Sequence, residues 1–358
     1  MKVHATSRRR SFLFAVLAAT TAVSFVPDRG VVVRVDPAFG VHPPVVAVRM
    51  TRDERRTVAM MTAETTRLGV SSLGVPRTAT SIEWKIEPSA VGSRTLALSR
   101  QVLARLQFLL EDLGLVRVAL TYVVVARSQA FINDVLESID CFPNLVRTGG
   151  VHLMGATLCN RTVVVINLTG YLFLLSAADR LTSTLESAPE PAIRNVNYKI
   201  ADRNISGLAH EWVHIARASA NDGRVAPDEP AWVREGIAEL LAGVARVLAF
   251  PARMDYVDFH VVRLRKFADW RRTCTEPLRR YRADSDLLAG CEYYLGTLAM
   301  EYLVARMGGL AKVITLFRRS AETLDFSRSF LATYGMTLEN FETRMDFYLG
   351  GIAALPDP

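Results

Sequence analysis

His210-Glu211-Trp212-Val213-His214 decides how this chain reads. It lies in the run Ser206 to Ala220, which has helical character. On a helix, positions i and i+4 share a face, so the His210 and His214 imidazoles can aim at one point. Neutral imidazole suits Zn²⁺. Glu211, one residue past the first histidine, reaches the rim of such a site, where it can act as general base on a metal-activated water. A five-residue pattern also arises by chance, and a surface helix with two histidines and a glutamate is the alternative. Leu208 and Ala209 before the motif, and Ile215 and Ala216 after it, make the helix largely apolar. That is a poor setting for an unpaired charge.

Downstream lies Pro230-Ala231-Trp232-Val233-Arg234-Glu235-Gly236-Ile237-Ala238-Glu239-Leu240. A second helix is expected to start here, with Pro230 near its first turn. It offers a carboxylate, Glu235, 21 residues past His214. A catalytic zinc takes three protein ligands and keeps one position open. Glu235 would complete a His-His-Glu set.

With these two segments the chain resembles the gluzincin metallopeptidases, in particular secreted bacterial proteins with a peptidase MA-like domain. Their second motif is an aromatic residue, two variable positions, then E-G and a small residue. Trp232, Glu235, Gly236 and Ala238 match it. The resemblance makes Glu235 the third zinc ligand. It implies that Glu239, one turn further on, orients a ligand histidine through its other ring nitrogen; a solvated surface acid is the other reading. A third segment, Tyr293 to Gly308, reads as a helix with an apolar stripe closed by glycine. Aminopeptidase-type gluzincins carry a similar Y-x-x-G helix whose tyrosine hydroxyl stabilises the developing oxyanion. Tyr293 matches that position and Tyr294 is its neighbour; a core-packing tyrosine at a helix start is the other reading. The resemblance spans roughly Leu96 to Leu349, and its motifs are specific mainly between Ser206 and Gly308.

What it implies is a zincin-like α+β fold: a small twisted sheet, a metal-binding helix and a mostly helical C-terminal lobe. The implied function is that of an exported zinc-dependent metallopeptidase, hydrolysing peptide bonds through a metal-activated water. Zn²⁺ is the expected cofactor and a peptide or protein the expected substrate. The alternative is a non-catalytic secreted zincin-fold protein with a binding or structural role, against which the intact Glu211 speaks.

Composition sets the outer limits. The chain has 358 residues, 50% hydrophobic and 8% aromatic, enough for a large core in one domain or two lobes. Its net charge of +7 overstates the basicity of the body. Residues 1–24 hold Lys2, Arg8, Arg9 and Arg10 and no acid, so 43 − 4 = 39 basic residues face 36 acidic ones, or +3. No nucleic-acid partner is expected, since that needs basic residues clustered on one face. The basic Met1 to Arg10 stretch and the apolar Phe12 to Val26 run mark residues 1–26 as a signal peptide or N-terminal anchor. Ala22-Val23-Ser24 offers a small-x-small cleavage site, and Arg9-Arg10-Ser11-Phe12-Leu13 resembles a twin-arginine signal. Secretory and twin-arginine export both stay open, and membrane contact is expected only through an uncleaved N-terminal segment.

Cys141, Cys159, Cys274 and Cys291 form no C-x-x-C pair. In an exported protein an even count points to disulfides. Of the three connectivities, Cys141–Cys159 with Cys274–Cys291 closes the shortest loops.

Elsewhere the reading is coarser. Residues 27–95 read as an extension or linker of unclear structure, with strand fragments at Val31-Val32-Val33 and Val45 to Val48, and residues 96–358 as the metallopeptidase domain. Leu98, Val102, Leu106 and Leu109 predict a helix that Gly114 ends; Val116, Val118, Leu120 and Tyr122 alternate like a half-buried strand; Thr162 to Asn167 is a second strand. His152, in a glycine-flanked loop, is a lone candidate for the cleft. Tyr171 to Leu185 is expected to be helical, as are parts of Leu310 to Leu349 before Gly350-Gly351. Val261 to Arg282 holds eight basic residues against Asp269 and Glu276 and reads as a solvated helical face, with contact to an anionic substrate or cell envelope as the sharper alternative.

Overall fold

A run of strand-favouring residues, Tyr122-Val123-Val124-Val125, builds the centre of a four-stranded sheet. The computed structural model describes residues 31–32, 47–71, 82–92, 94–115, 120–141, 155–159, 163–167, 206–251, 254–261, 274–283 and 290–355. The sheet has the order β3 (Ile82–Ile86), β4 (Thr121–Ala126), β6 (Val163–Asn167), β5 (Gly155–Leu158). β3, β4 and β6 are parallel, with Trp84 beside Val123 and Val123 beside Val164, and β5 is antiparallel at the edge. Before it, β1 (Val31–Val32) and β2 (Ala47–Val48) pair as a short separate ribbon.

The expected half-buried strand ending at Tyr122 differs from what forms. β4 starts at Thr121 and is buried almost throughout. The physical reason is its central place: a strand covered on both faces needs a continuous apolar run, not alternation. Residues 116–119 lie outside the described residues. Alternation still sorts β4 between two cores. Val123 and Val125 face the larger core, while Val124 and Ala126 face α3 (Gln129–Ser138) through Ile132, Val135 and Leu136.

The larger core lies between the sheet and the helices. α2 (Arg94–Asp112) forms where its stripe predicted it, with Leu103 and Leu110 widening the buried face. It packs on α5 (Ala231–Ala249), the helix that follows α4 (residues 206–220) in the chain. After a short helical stretch at 256–261, α6, come α7 (Cys291–Met307), α8 (Gly309–Thr323), α9 (Phe326–Tyr334) and α10 (Leu338–Ala353). Gly350 and Gly351 sit inside the last turn of α10 and do not end it. The architecture is mixed helix and sheet, mostly helical. Among the described residues no helix is long and apolar enough to cross a membrane.

Residues 27–95, expected to have unclear structure, contribute a 20-residue helix, α1 (Arg52–Ser71), and β3. Thr51 and Glu54 form a reciprocal capping box: Glu54 N donates to Thr51 Oγ1 (3.1 Å) and Thr51 N donates to Glu54 Oε2 (3.0 Å). Val58, Met61 and Leu68 enter the larger core. A buried ionic triad then clamps α1 to α7. His260 Nε2 lies 2.9 Å from Glu54 Oε1, and His260 Nδ1 lies 2.9 Å from Glu301 Oε2. Tyr256 donates its hydroxyl to Glu301 Oε1 (2.6 Å).

Both expected disulfides are formed. Cys141–Cys159 joins the end of α3 to the end of β5, and Cys274–Cys291 fixes the first residue of α7. Residues 1–26, His152, the Tyr171 to Leu185 stretch and most of Val261 to Arg282 lie outside the described residues. Within that basic stretch Arg279 and Arg280 are exposed, and Arg282, part-exposed, pairs with Glu342 of α10 (2.5 Å).

Candidate metal centre

α4 buries its apolar back, Leu208, Ala209, Trp212, Val213, Ile215 and Ala216. Its other face carries His210 and His214 one turn apart. Their Nε2 atoms lie 3.1 Å from each other, and Glu235 Oε2 lies 3.1 Å from the first and 3.2 Å from the second. Among the described residues this is the group of side chains arranged to hold a metal. Corners of a tetrahedron around a zinc-sized ion, with bonds of about 2.0–2.1 Å, are about 3.3–3.4 Å apart. The three observed edges fall slightly inside that spacing, so the donor set fits.

Electrostatics agree with the geometry. Burial alone would push the His210 imidazole toward neutrality, but Glu235, then Glu239 and Glu211, outweigh it and hold its pKa well above the ordinary value. Burial would likewise raise the Glu235 carboxyl, but His214 and His210 outweigh it and hold it far below the usual carboxylate range. Both shifts have one cause: the space between the three atoms calls for positive charge. A proton satisfies one nitrogen at a time, whereas a cation satisfies all three atoms.

Two glycines bring Glu235 to this point. A Cβ on Gly236 would land on the backbone of Gly296, and a Cβ on Gly296 would land on the Trp232 carbonyl. α5 and α7 therefore touch backbone to backbone, which only glycine permits. The same crossing sets Tyr293, on the first turn of α7, against His210. The Trp232 indole is buried and donates to Glu342 Oε1 (3.2 Å), fixing the start of α5. Arg234 Nε donates to Glu235 Oε1 (3.0 Å), which leaves Oε2 as the oxygen shared with the histidines.

The remaining expected residues fall around this core. Glu239 Oε1 is 3.4 Å from His210 Nδ1. That contact is close enough to orient the ring, yet its geometry falls short of a hydrogen bond, and Nδ1 is buried without a hydrogen-bond partner. The Tyr293 ring stacks on the His210 ring, centroids 5.6 Å apart and planes at 27°. Burial, then Glu235, Glu211, Glu292 and Glu239, push its hydroxyl pKa upward, so the phenol keeps its proton. Glu211 is half-buried, and its charge acts on both His210 and Tyr293.

Sequence reasoning took Gly236 and the glycine of Y-x-x-G, Gly296, only as motif positions, and gave Arg234 no role. A signal existed for the glycines, since each interrupts a helix that alanine would favour by about 1 kcal/mol. No family model matches this chain, and neither a curated protein nor a solved structure matches it.

Proposed function

We propose that this protein is an exported zinc metallopeptidase with a zincin-like fold of the gluzincin type, hydrolysing peptide bonds. The observation that carries this reading is the convergence of His210 Nε2, His214 Nε2 and Glu235 Oε2 within 3.2 Å of one another, with Glu211 and Tyr293 beside them. Zinc held by these three atoms would act as a Lewis acid and lower the pKa of a water in its open position to about 7.

Each neighbouring residue has a task. Glu211 places a carboxylate next to the first histidine and takes the proton that the attacking water loses. Tyr293, kept protonated by burial and by the surrounding carboxylates, donates its hydroxyl to the oxygen where negative charge grows. Arg234 holds one oxygen of Glu235 and so presents the other. Glu239 steers the His210 ring from behind. The antiparallel edge strand β5 has β6 on one side and, among the described residues, no strand on the other; an extended peptide can add to such an edge. The two disulfides suit an oxidising compartment.

The test is turnover of a mixed peptide library by the zinc-loaded protein and by Glu211→Gln. Glutamine keeps the shape and cannot take the proton, so the variant should keep its metal and lose at least about 10²–10⁴-fold in rate. A variant as active as the parent, or a parent that cleaves nothing, would refute the peptidase reading.

A further inference from the structure

We propose that the Cys274–Cys291 disulfide positions Tyr293 for catalysis, by joining the start of α7 to a strap formed by residues 274–282; the inference rests on the peptidase reading and on its use of Tyr293. The bridge ties Cys274 to the first residue of α7, with the two Cα atoms 5.6 Å apart and both residues buried. Tyr293 stands two residues further on, and its ring stacks on His210.

This helix start needs a tie. A helix N-terminus leaves its first N–H groups without intrahelical partners, and helix ends fray. A serine, threonine, aspartate or asparagine side chain usually caps them. α7 begins instead at Gly290, which brings no capping side chain. The Tyr293 and Tyr294 amides both turn to the Gly290 carbonyl, at 3.2 and 3.4 Å. The turn that carries Tyr293 therefore leans on a glycine, with the bridge at Cys291 as its covalent hold.

The other side of the bridge is well anchored. The Leu278–Tyr281 turn packs on α7 and α10, with Leu278 and Tyr281 buried. Leu278 N donates to Asp346 Oδ1 of α10 (2.8 Å). Arg282 Nε donates to Glu342 Oε1 of α10 (2.9 Å), and the Arg282 carbonyl accepts from Ala231 N (2.7 Å), the first residue of α5. One end of the strap is thus fastened to α10 and to the helix that carries Glu235. The other end is joined through sulfur to the helix that carries Tyr293. Removing the bridge frees the Tyr293 end and leaves the Glu235 end in place, so the metal ligands stay while the hydroxyl donor shifts.

The test compares four zinc-loaded proteins on one peptide that the parent cleaves: the parent, Cys274→Ala/Cys291→Ala, Tyr293→Phe, and all three changes together. The cysteine variant should keep close to one zinc per chain and lose about 10- to 100-fold in kcat with little change in KM, the scale on which a misplaced group slows a reaction. In the Tyr293→Phe background the same change should cost less than about twofold. Hydrogen exchange adds a readout besides activity: the Tyr293 and Tyr294 amides should lose protection ahead of those of α10. Asp346→Ala, which frees Leu278 N while the bridge stays intact, should show both effects in weaker form. A folded cysteine variant with the parent's kcat would overturn the inference, as would an Asp346→Ala variant with the parent's kcat if the cysteine variant does not fold. An equal loss of protection across α7 and α10, or a fall of the same size in the Tyr293→Phe background, would make the bridge a general staple and also overturn it. Each of these leaves the peptidase reading standing. A parent that cleaves no peptide would overturn both.

Discussion

The molecule buries two histidine–carboxylate clusters built from the same residue types, and they are opposites. In the triad of Glu54, His260 and Glu301 the two ring nitrogens point away from each other, each to its own carboxylate. Tyr256 and the Thr51 amide take further carboxylate oxygens. The triad is closed: both ring nitrogens and the carboxylate oxygens facing them are paired within the fold. In the set of His210, His214 and Glu235 two nitrogens and one oxygen point at one another, which is unfavourable until a cation lies between them. The lesson is that residue identity does not make a metal site; direction does. Diverging donors make a clamp, and converging donors make a set that could hold a metal ion.

Removing one histidine from each cluster breaks the comparison most sharply. His260→Ala leaves two buried carboxylates without their cation, and should cost about 3–5 kcal/mol in denaturant unfolding. His214→Ala, measured in metal-free protein, should cost much less, because it relieves a crowded site. Equal losses would mean that the set of His210, His214 and Glu235 is also a structural ion group.

A catalytic effect comes next. Tyr293→Phe should lower kcat by about 10²–10³ with little change in KM, since the lost bond exists only in the transition state. The same pattern from Tyr294→Phe would move the assignment by one residue.

The triad also has a pH signature. Burial would lower the His260 pKa, but Glu301 and then Glu54 outweigh it and raise it to about 9. A raised histidine stabilises the fold fully below its unfolded pKa of about 6.5, and that contribution is lost as pH climbs through 9. Unfolding free energy should therefore fall by a few kcal/mol between pH 6.5 and 9.5, and the drop should vanish in Glu54→Gln/Glu301→Gln. A parent with flat stability across that range would contradict the imidazolium state. The smallest effect is expected at Glu239. Its contact to His210 falls short of a hydrogen bond, so Glu239→Gln should weaken metal affinity only about tenfold, the low end for such partners.

Much of the candidate site was legible because its information is local. His210 and His214 are a turn apart, and Glu235 sits in a short motif on the next helix. The crossing that joins them was written as Gly236 and Gly296, but a glycine in a helix names no partner. The clamp was illegible for a different reason: Glu54 and His260 are 206 residues apart, and no periodicity links them. α1 escaped although Thr51 to Glu54 is a capping-box pattern. Its apolar stripe, Val58, Met61 and Leu68, is narrow and set among Arg52, Arg55, Arg56, Glu64 and Arg67. β4 was displaced because alternation was followed where a doubly buried strand has none.

The central claim is that the converging cluster holds one metal and the diverging cluster none. It is tested most directly by metal analysis after reconstitution with Zn²⁺ and removal of the excess. The parent and His260→Gln should each carry close to one zinc per chain, and His214→Ala close to none. A parent without zinc, or a His214→Ala variant that keeps it, would contradict the account.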